Sequence, residues 1–307
     1  MIEKTAGERV DASLLSSDAR REHVVVGVQG DDASLAALRW AARHAHFTGG
    51  EIEALMAWEL PEPPRHLTGE LKQAARGVIN DLRWALETIV DRSDIAATPG
   101  IRVSTTVVTA PPKVAMADAV DRADLLVLGS VHHAAALSAL SVSRQLAAAA
   151  SCPVALVPVI EPRPEAGTRS VGDFLVVGMD GSPQSLDAFR WACAEAARRN
   201  LQLRVVVVSP SELALDAVTR SVAARLRTHP PLDIKLLTRA GDPGAVLIEE
   251  SSGCEALILG QHGSGTIRRR LPSLGSVSRW CVVHLVSPVV VVPRRPARLR
   301  RARPDRS

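Results

Sequence analysis

Gly260, Gly263, Gly265 and the pair Gly275-Ser276 lie in LILGQHGSGTIRRRLPSLGSVSRW, where an apolar run passes through a glycine loop into an amphipathic segment. Glycine lets a backbone approach an anion closely. A Gly-Ser step opening a helix offers N–H donors, a hydroxyl and the positive end of the helix dipole. Those are the ingredients of a phosphate cradle. Asp180, which closes VVGMD, is suited to accept hydrogen bonds from a sugar or base, or to help hold a metal ion. Arg268, Arg269 and Arg270 read as counter-charges for a triphosphate or as a solvated run, and His262 as a phosphate contact or a surface turn residue.

Nothing in the chain makes a case for catalysis. There is no Walker-type G-K-[ST], no Ser/His/Asp or Cys/His ordering and no carboxylate pair beside Asp180. The adjacent His132 and His133 have no acidic neighbour in their loop and read as exposed, not as metal ligands. His44, His46, His66 and His229 follow no ligand spacing and are expected at the surface. Cys152, Cys193, Cys254 and Cys281 form no C-x-x-C pair and are expected reduced and buried. Three Phe and no Tyr leave little on which nucleic-acid bases could stack.

The elements that would position Asp180 and the glycine loop occur twice. HVVVGVQG, from His23 to Gly30, answers FLVVGMDG, from Phe174 to Gly181, so that Gly27 and Gly178 are 151 positions apart. In the following helices Leu35, Leu38, Ala42 and Ala45 answer Leu186, Phe189, Cys193 and Ala196 on one helix face. Trp40 answers Trp191, and both read as packing residues. DLLVLG then answers EALILG at an offset of 131, and SCPVALV answers VSPVVVV at 135.

Short β-branched runs alternate with helical segments in each copy. The expected strands are His23 to Val28, Glu51 to Trp58, Ile101 to Val108, Leu125 to Gly129 and Val154 to Val157, then Phe174 to Met179, Leu203 to Val208, Asp233 to Leu237, Ala256 to Gly260 and Val289 to Val292. Such alternation implies right-handed crossovers and a parallel sheet covered on both faces. The expected organisation is a disordered segment 1–20, a first domain 21–159, a linker 160–172, a second domain 173–293 and an Arg-rich disordered tail 294–307.

The formal charge of +4 belongs to that tail, which carries seven Arg and one Asp, so residues 1–293 sum to −2. A solvated tail is expected, and no nucleic-acid contact through it. No apolar run is long enough to cross a bilayer, and Met1 to Glu22 has no signal-peptide core, which points to the cytoplasm.

Together these motifs resemble the universal stress proteins, in tandem, from Arg21 to Pro293. The second copy carries VVGMDGSPQSLDAFRWA, AGDPGAVLIEES, LGQHGSG, LGSVS and SPVVVVP. The resemblance implies an α/β fold of two doubly wound five-stranded parallel-sheet domains with strand order 3-2-1-4-5. The ligand then sits beyond strands 1 and 4. It further implies a stress-response regulator, not an enzyme, that binds ATP with Mg2+. Its binding residues carry over onto Asp180, Gly260, Gln261, His262, Gly263, Gly265, Gly275, Ser276 and Val277.

The family's G-x-x-G, nine residues, G-[ST] pattern is lengthened here, with eleven residues between Gly263 and Gly275. In the first copy Gln29, Ala110, His132 and Leu140 replace the aspartate and three glycines, so it is expected not to bind ATP in the family's manner. Pairing of the fifth strands, Pro153 to Val159 and Pro288 to Val292, implies an internal pseudo-dimer, with a homodimer as a further state. The alternatives are an interaction module of the same fold that binds no nucleotide, and slow ATP hydrolysis.

Overall fold

The computed structural model describes residues 21–59, 69–95, 98–130, 137–159, 172–209, 232–262 and 274–294. The first copy contains β1 (His23–Gly27), α1 (Asp32–Thr48), β2 (Glu51–Trp58), α2 (Gly69–Arg92), β3 (Arg102–Thr109), α3 (Pro112–Val120), β4 (Leu125–Ser130), α4 (Leu137–Ala149) and β5 (Val154–Pro158). The second contains β6 (Phe174–Met179), α5 (Pro183–Arg199), β7 (Gln202–Ser209), β8 (Ile234–Ala240), α6 (Pro243–Glu250), β9 (Ala256–Gly260), α7 (Ser276–Val283) and β10 (Val289–Val292). All ten expected strands are present, with ends displaced by a few residues.

The strands form one continuous sheet, ordered β3-β2-β1-β4-β5-β10-β9-β6-β7-β8. Each half has the order 3-2-1-4-5 and pairs in parallel, as strands joined through intervening helices such as α1, α3 and α5 must. The halves meet at the only antiparallel pair described, β5 against β10, with Ala155 opposite Val290. The two domains therefore form the internal pseudo-dimer through their fifth strands.

Two apolar layers, one on each sheet face, run through both halves. The first joins α1, α2 and α5 to the sheet; the second joins α3, α4, α6 and α7. The VVVV and LILG runs are buried on both sides, as uninterrupted apolar strands should be. Local signals fix the helix ends. Asp31, Ser182 and Asp242 accept from the backbone N–H three residues on, while Gly49 and Asn200 close α1 and α5 in the left-handed region.

Candidate functional site

In the second half β6 and β9 are neighbours, with Leu175 opposite Ala256 and Val177 opposite Ile258. Asp180, just past β6, and Gly260, at the end of β9, therefore come out at the same edge of the sheet. Asp180 is half-buried, and its Oδ1 accepts a hydrogen bond from the Ser182 N–H at 3.0 Å. The turn between them needs Gly181, whose φ is +79°. Ser182 in turn caps α5, accepting from the Ser185 N–H at 3.2 Å.

The start of α7 is tied to the same place. The Gly275 N–H donates to the Gln261 carbonyl at 2.8 Å, and the Ser278 hydroxyl donates to the Gly260 carbonyl at 2.7 Å. Gly275 is extended (φ −59°, ψ 161°) and, having no side chain, makes no side-chain cap of its own. Ser276 is exposed and Val277 half-buried in the first turn of α7, at the positive end of its dipole. Beside them a space of about 680 Å³ lies between the halves, lined by Arg144 of α4 and by Asp242, Gly244, Ser276, Arg279 and Trp280.

Not every expected residue serves this edge. The Gln261 side chain is buried and turned into the seam, where Nε2 donates to the Ala147 and Ala150 carbonyls at 3.0 and 3.1 Å. It satisfies orphan carbonyls at the end of α4. Gly260 has a packing reason to be glycine, since a Cβ there would lie 2.9 Å from the carbonyl carbon of Gln184. His262 is half-buried at the start of the loop. Gly263, Gly265 and Arg268 to Arg270 lie outside the described residues, as do His132 and His133.

The first half keeps a cavity at its own switch point, of about 300 Å³, lined among others by Gln29, Asp31, Ser34, Met116, Ser130 and Ser143. Asp31 is occupied with α1, accepting from the Ser34 N–H at 2.9 Å and from its hydroxyl at 2.6 Å. Among the described lining there is no basic side chain.

A charged cluster at the seam overturns the expectation for His44. Its imidazole is fully buried between the halves, with Nε2 3.0 Å from Glu22 Oε2 and Nδ1 3.0 Å from Glu195 Oε1. Trp40 and Trp191 stack against it, with centroids 5.6 and 6.4 Å away, and Trp40 Nε1 donates across the seam to the Glu255 carbonyl at 3.2 Å. Arg199 bridges Glu195 (3.4 Å) and Glu255 (2.8 Å), and Arg198 pairs with Glu195 at 2.9 Å. Burial opposes a charged imidazole, but the Glu195 and Glu22 carboxylates outweigh it and raise the His44 pKa to about 9. Burial likewise opposes ionisation of Glu195, and His44 with the two arginines lowers its pKa to about 2. The sequence did carry a signal, because His44 is four residues from Trp40 and so shares its buried helix face.

Residues 20–158, 174–229 and 211–293 match the universal stress protein family. The chain is 29% identical over 311 residues to a universal stress protein of Mycobacterium tuberculosis, covering 91% of this chain and 99% of that relative. A second M. tuberculosis universal stress protein is 33% identical over 152 residues, 45% of this chain and 52% of its own. Among solved structures, a universal stress protein from Archaeoglobus fulgidus superposes with a TM-score of 0.60 at 16% identity, covering 89% of this chain and 98% of that one, a likeness of fold.

Proposed function

The chain belongs to the universal stress protein family, in tandem two-domain form, and from that premise we propose that its second domain binds ATP or a related adenine nucleotide and acts as a stress-response regulator. The observation that carries this reading is the Gly275-Ser276 start of α7, anchored at the end of β9 on the edge where Asp180 emerges. The amides and hydroxyl of Ser276, with the Val277 amide, would receive phosphate oxygens. Arg144 and Arg279 beside Ser276 supply the positive field that a polyphosphate needs. Asp180 would accept from the ribose hydroxyls or the adenine amino group, and His262 with Gly263 and Gly265 would complete the loop. Magnesium would arrive with the phosphates. The protein acts by binding, as a regulator in the cytoplasm.

The test is thermal melting with and without ATP and magnesium. ATP at 100 times its dissociation constant, bound only to the native state, adds about 2.7 kcal/mol. That is enough to raise Tm by several degrees. An unchanged Tm in the wild type rejects the reading.

A rival reading, an interaction module without a nucleotide, draws on three observations. The Gly275 N–H is already engaged, Gly260 is explained by Gln184, and the loop exceeds the family spacing by two residues. An adenine nucleotide co-purifying with the protein would eliminate it.

A further inference from the structure

The two halves are related by a pseudo-twofold axis that two residue pairs locate. In the sheet, Ala155 and Val290 are equivalent by the offset of 135 and lie opposite each other in the β5–β10 register. In the helical layer, His44 and Glu195 are equivalent by the offset of 151 and approach to 3.0 Å. Each pair consists of one position meeting its own counterpart. In a dimer of identical copies such a position would meet itself.

The sheet edges cannot tell the copies apart. Val154, Ala155 and Leu156 on one side, and Val289, Val290 and Val291 on the other, are all apolar and buried. Either edge could add to itself as readily as to its partner. The helical layer differs. Pairing two second copies would set Glu195 against Glu195 in a site where that residue is 1% exposed, and pairing two first copies would set imidazole against imidazole. Two carboxylates brought together out of water are strongly disfavoured, and two imidazoles forgo the ion pair with Glu195, whereas the mixed pair is complementary.

Of the surrounding ions, Glu22 and Glu255 have the acidic counterparts Asp173 and Asp124, and it is the arginines that are one-sided. Arg199 and Arg43, which hold Glu255 at 2.8 and 3.5 Å, have Thr48 and Ala194 as their counterparts.

We propose that His44 and Glu195 determine which domain pairs with which. The α1 face of the first copy is a recognition surface for the α5 face of a second copy, and the opposite charges on the axis reject association of like copies between chains. A buried polar pair that fixes partner choice, as distinct from adding stability, is an attested use of such groups.

The experiment uses the full chain with Cys152, Cys193, Cys254 and Cys281 each replaced by alanine and carrying Ala155→Cys as its one thiol. In the internal pairing the introduced thiol faces Val290. Only when first copies of two chains pair do two introduced thiols meet and form a disulfide. The reporter chain is unfolded, refolded under oxidising conditions at pH 8, and scored for covalent dimer on a non-reducing gel, with the Ala155 parent as background.

With His44 and Glu195 intact, no dimer above background is expected. Glu195→His, which makes the copies alike at the axis, should raise the covalent dimer several-fold. So should the pair His44→Leu with Glu195→Leu, which keeps an apolar contact of similar bulk and provides the answer should the first variant fail to refold. Dimer in the parent reporter at the level of the variants would overturn the proposal. So would background levels in refolded variants, which would make the connecting segment the determinant of pairing.

Discussion

The Ser278 hydroxyl donates to the Gly260 carbonyl at 2.7 Å, joining the first turn of α7 to the end of β9. With the Gly275 to Gln261 bond it gives an open helix N-terminus a fixed address beside Asp180. Ser278 is buried, so Ser278→Ala removes a satisfied bond from a place water does not reach. The expected cost is about 1–2 kcal/mol in denaturant unfolding. ATP affinity should fall as well, since the amides lose their fixed position. Unchanged stability and affinity would detach this bond from the site.

Gly260 and its counterpart Gly129 are packing glycines whatever the ligand. At Gly260 a Cβ would meet the backbone of Gln184, and at Gly129 that of Ala33. Gly260→Ala should destabilise the protein by about 1–3 kcal/mol, the usual range for overpacking. Urea unfolding without nucleotide checks this. Full stability in the alanine variant would return the glycine to a purely ligand-binding role.

The seam should make stability depend on pH in a defined window. The pKa of His44 is raised from 6.5 to about 9, so its contribution is complete below about pH 6.5 and disappears as pH climbs to about 9. The gap corresponds to roughly 3 kcal/mol. Glu195 works in the opposite sense, complete above about pH 4.5 and lost as pH falls towards 2. Glu22, Arg198, Arg199, Glu255 and Arg43 complete the field around the pair. The Tm difference between wild type and His44→Gln should therefore be largest near pH 6 and small above pH 9. A difference independent of pH would mean that His44 is neutral in the folded protein.

The four cysteines offer a check on both apolar layers. All are free and buried. Burial raises the pKa of Cys152 and Cys193 to about 11, and of Cys254 and Cys281 to about 12. A thiol reagent at pH 8 should find none of them in the native protein and all four after unfolding. Rapid labelling of a native thiol would contradict the packing around it.

The fold was legible because uninterrupted apolar runs such as VVVV and LILG have no other stable place than a sheet covered on both faces, and because the repeat showed the same alternation twice. The edge bearing Asp180, Gly260 and Ser276 followed from that topology. What the sequence hid lies between the halves. Gln261 has the loop position of a ligand contact, yet it turns to the α4 carbonyls, a partner 111 to 114 residues away. His44 reads as a surface residue for want of a ligand spacing; its place four residues after Trp40 marks the buried helix face, but not that Glu195 of the second copy meets it there. Long-range partners carry no local spacing, so periodicity could not show them.

The central claim is one nucleotide site per chain, in the second domain. Calorimetric titration of ATP with magnesium tests it, on the wild type and on Ser276→Pro. Proline suits the first helical position and the extended Gly275 before it, yet it removes an amide and a hydroxyl from the site. The account predicts a stoichiometry of one in the wild type and at least tenfold weaker binding in a variant of undiminished stability. No heat of binding in the wild type, or two equal sites per chain, would contradict it.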